Sequence, residues 1–182
     1  MCAALLRGMN NKLPLAALVV IAIAHGCNEP NRQPTPREVA QMLEANVVGV
    51  IAYYSAHNPF IWTEDKTAPR GVIIEALYLE GRDGKGVFGD GVIRPKMYVS
   101  EMKPDGTRDW VLTKEWKYEV EEAIPFRSKR PTVGGWGYRL HLVWGDMDIK
   151  GREIRIIVSF ERRDGIVITS RKKDFRVPQR GQ

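Results

Sequence analysis

The sequence predicts a mainly β protein: a single immunoglobulin-like β-sandwich preceded by a short N-terminal helix, with a small β-barrel as the alternative way of closing the sheet. Three observations carry that expectation. From Arg70 onward, apolar and β-branched residues come in short runs separated by Gly/Asp turns. The run Tyr138-Arg-Leu-His-Leu-Val-Trp144 alternates, placing Tyr138, Leu140, Leu142 and Trp144 on one face. Arg162-Arg-Asp-Gly165 joins two such runs as a short-loop hairpin. About six or seven short strands in roughly 110 residues match the spacing of a sandwich.

The first 26 residues read differently. Leu13 to Ala24 is an apolar run of 12 residues, about 18 Å as a helix at ~1.5 Å per residue. A membrane core needs about 20 residues, and Arg7, Asn10, Asn11 and Lys12 stop the run from growing upstream. It shows neither helical periodicity nor a polar face, which argues against a buried core helix. A charged start, a short apolar middle and a small residue before the cut describe an export signal over residues 1–26. Translation from Met9 would give a more compact signal of the same kind.

Cys27 follows that signal. The chain has two cysteines, and Cys2 lies in the removed segment, so the mature protein keeps one thiol. Ala24-His25-Gly26-Cys27 resembles the bacterial lipoprotein cleavage box, with His25 an unusual middle residue. The resemblance implies that Cys27 becomes the acylated first residue and anchors the chain in a lipid bilayer. More than one acyl chain, at ~0.8 kcal/mol per buried CH₂, makes a long-lived anchor. Asn28 stands where some lipoproteins carry an Asp retention signal. Plain secretion with a free thiol or an intermolecular disulfide is the competing reading.

Residues 27–35 are polar and proline-rich, an extended tether. Residues 36–69 form a helix and docking segment. Thr35-Pro36-Arg37-Glu38 supplies an N-cap, a first-turn proline and the capping-box glutamate, predicting a helix over about residues 36–46. Residues 47–54 are β-branched and fit either a strand or a longer helix.

The main domain covers residues 70–178, with a tail at 179–182. Gly71 to Leu79 reads as a strand ending at the turn Gly81 to Gly86, and Val92 to Val99 as the next. Pro95 inside that strand points to an edge position or a bulge. Lys103-Pro-Asp-Gly106 is a turn, after which Trp110 to Thr113 and Trp116 to Glu119 return. Ile154, Ile156, Val158 and Phe160 should face inward with Arg155 outward. A domain of this size buries about two-thirds of its unfolded surface and needs no disulfide.

Charge is concentrated at the C-terminal end. Residues 70–178 hold 22 Lys+Arg and 17 Asp+Glu, while residues 150–176 alone hold 9 and 4. Both differences are +5, so the whole surplus lies in the last hairpin region. Arg155, Arg162, Arg163, Arg171, Lys172 and Lys173 are its main contributors. They form a candidate patch for an acidic glycan, an anionic headgroup or an acidic envelope protein; the other reading is solubility and edge protection. An exported chain without a nucleic-acid motif excludes DNA and RNA as partners.

Trp62 and Trp136 sit in loop-like sequence and are the candidate exposed aromatics. Trp144 follows the core alternation, and Trp110 and Trp116 share a face if no bulge intervenes. After export the histidines are His57 and His141, with no Ser or Cys nucleophile at a motif spacing. Asp146-Met-Asp148 and Asp83-Gly-Lys-Gly86 lack the spacing of a calcium loop and read as turns. No catalytic set, metal site or cofactor is indicated.

Together, the lipobox-like start, Asn58-Pro-Phe-Ile-Trp62 leading into Arg70-Gly-Val-Ile-Ile74, Tyr138 to Trp144, and Ile154 to Gly165 resemble one group. It is the bacterial envelope lipoproteins that carry one C-terminal β-sandwich domain. The resemblance rests on packing and turn signatures, so it implies location and fold and carries no site residues. The expected function is a non-catalytic binding or assembly domain at the envelope. A purely structural surface protein, and a carbohydrate-binding module or hydrolase accessory domain, are the alternatives.

Overall fold

The computed structural model describes residues 33–129 and 134–179. The expected export signal, Cys27, most of the expected tether and the end of the tail lie outside the described residues. Within them the chain is mainly β, with two sheets packed face to face and no closed barrel.

The N-terminal helix forms from the cap the sequence carries. Helix α1 (Pro36–Gln41) starts at Thr35, whose hydroxyl oxygen accepts the Glu38 backbone N–H at 3.3 Å. The Thr35 N–H donates to Glu38 Oε2 at 2.6 Å. The helix is shorter than the expected 36–46. Its six residues cannot hold helical backbone unaided, and Val39 is fully buried against the core. Beyond it, strand β1 (Leu43–Glu44) pairs in parallel with β5 (Gly86–Gly89). A sheet ladder there replaces the last turn of the expected helix. Pro34 is buried, and its carbonyl accepts from Arg127 Nε at 2.7 Å, so the end of the tether is held against the domain.

The ambiguous segment is a strand, β2 (Gly49–Tyr54). It and β3 (Phe60–Trp62) pair along one edge of the long central strand β4 (Pro69–Glu80). The other edge of β4 takes β9 (Trp136–Val143) and β5, and β8 (Arg127–Lys129) closes the far side beyond β9. That makes a seven-stranded sheet. The second sheet has five strands: β7 (Arg108–Glu115), β6 (Gly91–Met102), β10 (Glu153–Arg162), and then β11 (Val167–Thr169) and β12 (Lys173–Arg176) sharing the free edge of β10. A short helix, α2 (Val120–Ala123), follows β7.

The expected alternations hold. Tyr138, Leu140, Leu142 and Trp144 are buried from the first sheet, and Ile154, Ile156, Val158 and Phe160 from the second. They meet in one hydrophobic cluster. Sequence reading missed the short strands β1, β3, β5, β8 and β12, two to four residues each. Such pieces carry too few residues for a period to register, and partners distant in sequence define them.

Pro95 is the clearest correction. It lies on β6, an inner strand between β10 and β7, not on an edge. Opposite it, Val158 turns its own peptide groups away from β6: its N–H donates to Ser170 Oγ and its carbonyl accepts from Ser170 N–H. Alternation therefore points the Pro95 nitrogen toward the β7 side. There its carbonyl accepts the Trp116 N–H at 3.0 Å, just past the end of β7. The missing donor falls where the regular ladder has already stopped.

The chain passes between sheets in one residue. β5 ends at Gly89 in the first sheet and β6 begins at Gly91 in the second. The Phe160 ring packs beneath this crossing. A β-carbon at Gly89 would lie 2.5 Å from Phe160 Cζ, and one at Gly91 would lie 2.2 Å from the Glu161 carbonyl oxygen. Only glycine fits at either position.

Two outcomes are expected from this packing. Phe160→Ala should lower unfolding free energy by about 3–5 kcal/mol, and Gly91→Ala by about 1–3 kcal/mol through overpacking; both are measured by urea denaturation. The second concerns alkali. Burial raises the phenols of Tyr54 and Tyr138 above their ordinary range. Their neutral form is thus favoured in the folded state, and that stability is fully present below pH ~10. It should be lost progressively as pH rises beyond ~10. Tyr138→Phe should flatten the fall in stability between about pH 9 and 11.5.

Candidate functional site

The predicted basic patch is not one surface. Arg155 and Asp174 face each other across the β10–β12 ladder and form a two-point ion pair, with both bonds at 2.8 Å. This pairing holds the Asp174 carboxyl below its ordinary range and the Arg155 guanidinium above its own. The Arg155 guanidinium also lies over the Trp110 ring at 4.0 Å, and its side chain is only 18% exposed.

Arg162 turns back onto the N-terminal segment. It reaches the Val47 carbonyl and Asn46 Oδ1, each at 3.4 Å, and pairs with Asp164 at 2.5 Å. Arg163 pairs with Asp90 at 3.1 Å, on the sheet crossing. Arg171 and Lys172 are exposed between β11 and β12, and Lys173, exposed at the start of β12, lies 5.8 Å over the Phe175 ring. Three of the six cations are therefore engaged by carboxylates of their own chain.

The tryptophans separate as well. Trp136 is half-buried, stacked on Phe88 at 5.4 Å and covered by Lys129. Trp62 pairs with Pro69 at the start of β4, whereas β9 reaches Leu77 of β4 at Tyr138, two residues after Trp136. The two rings thus lie toward opposite ends of the first sheet. Trp144 is buried, as its alternation indicated, and its indole N–H donates to the Pro69 carbonyl at 3.2 Å. A bulge does intervene between Trp110 and Trp116. Lys114 pairs with Met97 but Leu112 pairs with Tyr98, which leaves Thr113 as an extra residue. Trp110 consequently faces outward to Arg155, while Trp116 packs against the core and donates to the Val143 carbonyl at 3.1 Å.

What the structure does assemble around Trp62 is a groove. At the seam where the β2–β3 edge of one sheet meets β12 of the other, Phe175 packs edge-on against Tyr54 at 5.0 Å and Phe60 at 6.2 Å. Beside this aromatic closure lies a cleft of about 550 Å³, lined by His57, Asn58, Phe60, Trp62, Arg176, Val177, Pro178 and Gln179. It adjoins a second cleft of about 400 Å³ bordered by Tyr53, Tyr54, Lys173 and Asp174, with Phe60 and Arg176 common to both. Arg176 also borders a third, of about 400 Å³, with Arg108, Arg152 and Glu153.

The carboxylates here are already engaged, Asp174 by Arg155 and Glu153 by Arg108. Arg176 makes no ion pair among the described residues, so the groove keeps an uncommitted guanidinium. Volume, aromatic walls and a few convergent polar groups suit a ligand of several rings. A tryptophan face takes an apolar ring surface, and a guanidinium fork takes a carboxylate through two parallel bonds.

Of the predicted site residues, Trp62 and Lys173 lie on this groove, Trp136 and Arg162 belong to the packing, and Arg163 is exposed and paired with Asp90. Sequence reading missed Arg176, Asn58 and Gln179 as neighbours of Trp62. The only available signal was Asp174-Phe-Arg176 continuing the basic run in alternating form, and its three residues are too short to announce a strand. His141 is exposed on the outer face of β9. Asp83 serves its turn, accepting the Lys85 N–H at 3.1 Å, and Asp146 and Asp148 border a separate cleft with Arg70 and Lys150. No protein-family model, curated protein or solved structure matches this chain, so the groove is read from its own geometry.

Proposed function

We propose that this chain is a membrane-anchored envelope lipoprotein whose sandwich, of immunoglobulin-like class, is a non-catalytic binding domain for an acidic glycan. The observation that carries the binding part is the seam groove, which sets Trp62, His57, Asn58 and Gln179 around the uncommitted Arg176. An acidic sugar presents an apolar ring face and a carboxylate, the two features this lining complements. Two face-packed, mostly antiparallel sheets support the immunoglobulin-like class. The anchor is supported by the sequence around Cys27 and its resemblance to the lipoprotein box.

An assembly role is the second reading, and two facts favour it. Pro95 sits on an inner strand, and the outer strand β7 presents six of its eight residues to solvent. An open edge of that kind accepts another strand.

Two measurements test the proposal. The mature protein should begin at Cys27 with a mass increment of acyl chains and partition into detergent. Cys27→Ala should abolish both, and an unmodified wild-type N-terminus would remove the anchor. For the groove, calorimetry with a hexuronate oligosaccharide and its neutral, carboxyl-reduced counterpart should show preference for the acid. Loss of a charged hydrogen bond, about 1.5–3 kcal/mol, makes Arg176→Ala roughly tenfold or more weaker. Trp62→Ala should weaken both ligands, and Trp136→Ala neither. Equal binding of acid and neutral forms by wild type and Arg176→Ala would sink the glycan reading.

A further inference from the structure

We propose that β7 is a self-recognition edge, and that two copies of this chain pair antiparallel along it to make one continuous sheet. The inference stands on β7 alone and does not depend on the groove.

β7 pairs with β6 on one side only. Its centre, Trp110-Val-Leu-Thr113, places Val111 and Leu112 at 40% and 48% exposure. Natural edges are usually interrupted by charge, whereas here the charges stand at the two ends, Arg108-Asp109 and Lys114-Glu115. Set beside its own reverse, the strand matches itself: Arg108 meets Glu115, and Asp109 meets Lys114.

The bulge makes this match geometrically allowed. Two antiparallel copies related by a two-fold axis perpendicular to the sheet must pair residues that face the same side. In a regular strand, positions 109 and 114 would face opposite sides. The extra residue at Thr113 corrects this. Asp109 pairs with Glu101 and Lys114 with the inward Met97, on one face; Arg108 pairs with Met102 and Glu115 with Lys96, on the other. Counting the bulge as one position centres the axis on Val111. Val111 then meets Val111 of the second copy, Trp110 meets Leu112, and both ion pairs fall on matching faces.

Hydrogen bonding agrees. Peptide groups of Ile93 and Pro95 point to the β7 side, and by alternation so do those of Val99, which pairs with Val111. Val111 therefore turns its peptide groups toward β6, leaving the Leu112 peptide groups and the Trp110 carbonyl for a new partner. The Trp110 N–H donates to Asp109 Oδ1 at 2.9 Å in a single copy and would exchange that bond on pairing. The charged ends are not idle in one copy: Asp109 pairs with Lys103 at 3.0 Å, Glu115 with Arg94 at 3.7 Å and Lys96 at 3.9 Å, and Arg108 with Glu153. A second copy extends these pairs into networks across the axis.

The test uses the full chain purified in detergent, with Cys2 and Cys27 replaced by Ala, and sedimentation across concentration. A monomer–dimer equilibrium is expected. Asp109→Lys, which puts the new lysine against Lys114 of the other copy, should weaken it at least tenfold, and adding Lys114→Asp should restore it. Val111→Cys should form an intermolecular disulfide on mild oxidation, because a non-hydrogen-bonded pair brings α-carbons to about 4.5 Å. Circular dichroism confirms that each variant is folded. A chain that stays monomeric at several hundred micromolar, a folded charge-swap double variant that fails to restore pairing, or a folded Val111→Cys that does not cross-link would each overturn the proposal.

Discussion

Everything in this fold is set by how the chain changes sheets at Asp90. A one-residue crossing leaves no slack, so the two sheets must approach within reach of a single peptide. Phe160 fills the space beneath it because Gly89 and Gly91 have no side chains to occupy that space. The same residue gathers distant parts of the chain. The Asp90 N–H donates to the Glu44 carbonyl at 3.0 Å, and its carboxylate receives Arg163. Arg162, next door, reaches Asn46 and Val47. The N-terminal segment, the crossing and the last hairpin are thus joined at one corner, and two of the arginines that looked like a ligand patch are part of that joint.

The elements legible in the sequence were those whose signal is local and long enough to repeat. β4, β6, β9 and β10 run eight to twelve residues with a buried face, and alternation or turn residues placed them. The cap at Thr35 is equally local. What escaped notice depends on partners far away in the chain. β1 exists because Phe88 and Gly89 lie beside it, β12 because β10 leaves half an edge open, and both are too short to show a period. Arg176 was counted as charge but not seen as a neighbour of Trp62, since 114 positions separate them. The basic residues misled for a related reason: a run of cations reveals nothing about the carboxylates that fold against it.

The groove and the open strand occupy different borders of the five-stranded sheet. β12, on the groove, and β7 are separated by β10 and β6, about 14 Å at ~4.8 Å per strand. Pairing along β7 would leave Arg176 and Trp62 uncovered in both copies. In the proposed dimer, with the proposed lipid anchor, two grooves held by one sheet and two tethers would make a bivalent receptor, in which weak single-site affinity is multiplied by effective concentration.

Pro95 has a meaning beyond its tolerance in a central strand. In the observed register its nitrogen faces the stretch after β7, where no ladder bond is owed. Sliding β6 by one residue against β10 would place the buried face toward solvent. It would also aim an imide nitrogen into the middle of the nine-residue β6–β10 pairing. The proline therefore acts as a key that the wrong alignment cannot accept. It narrows the alignments open to the collapsed chain while the two longest strands of this sheet find one another.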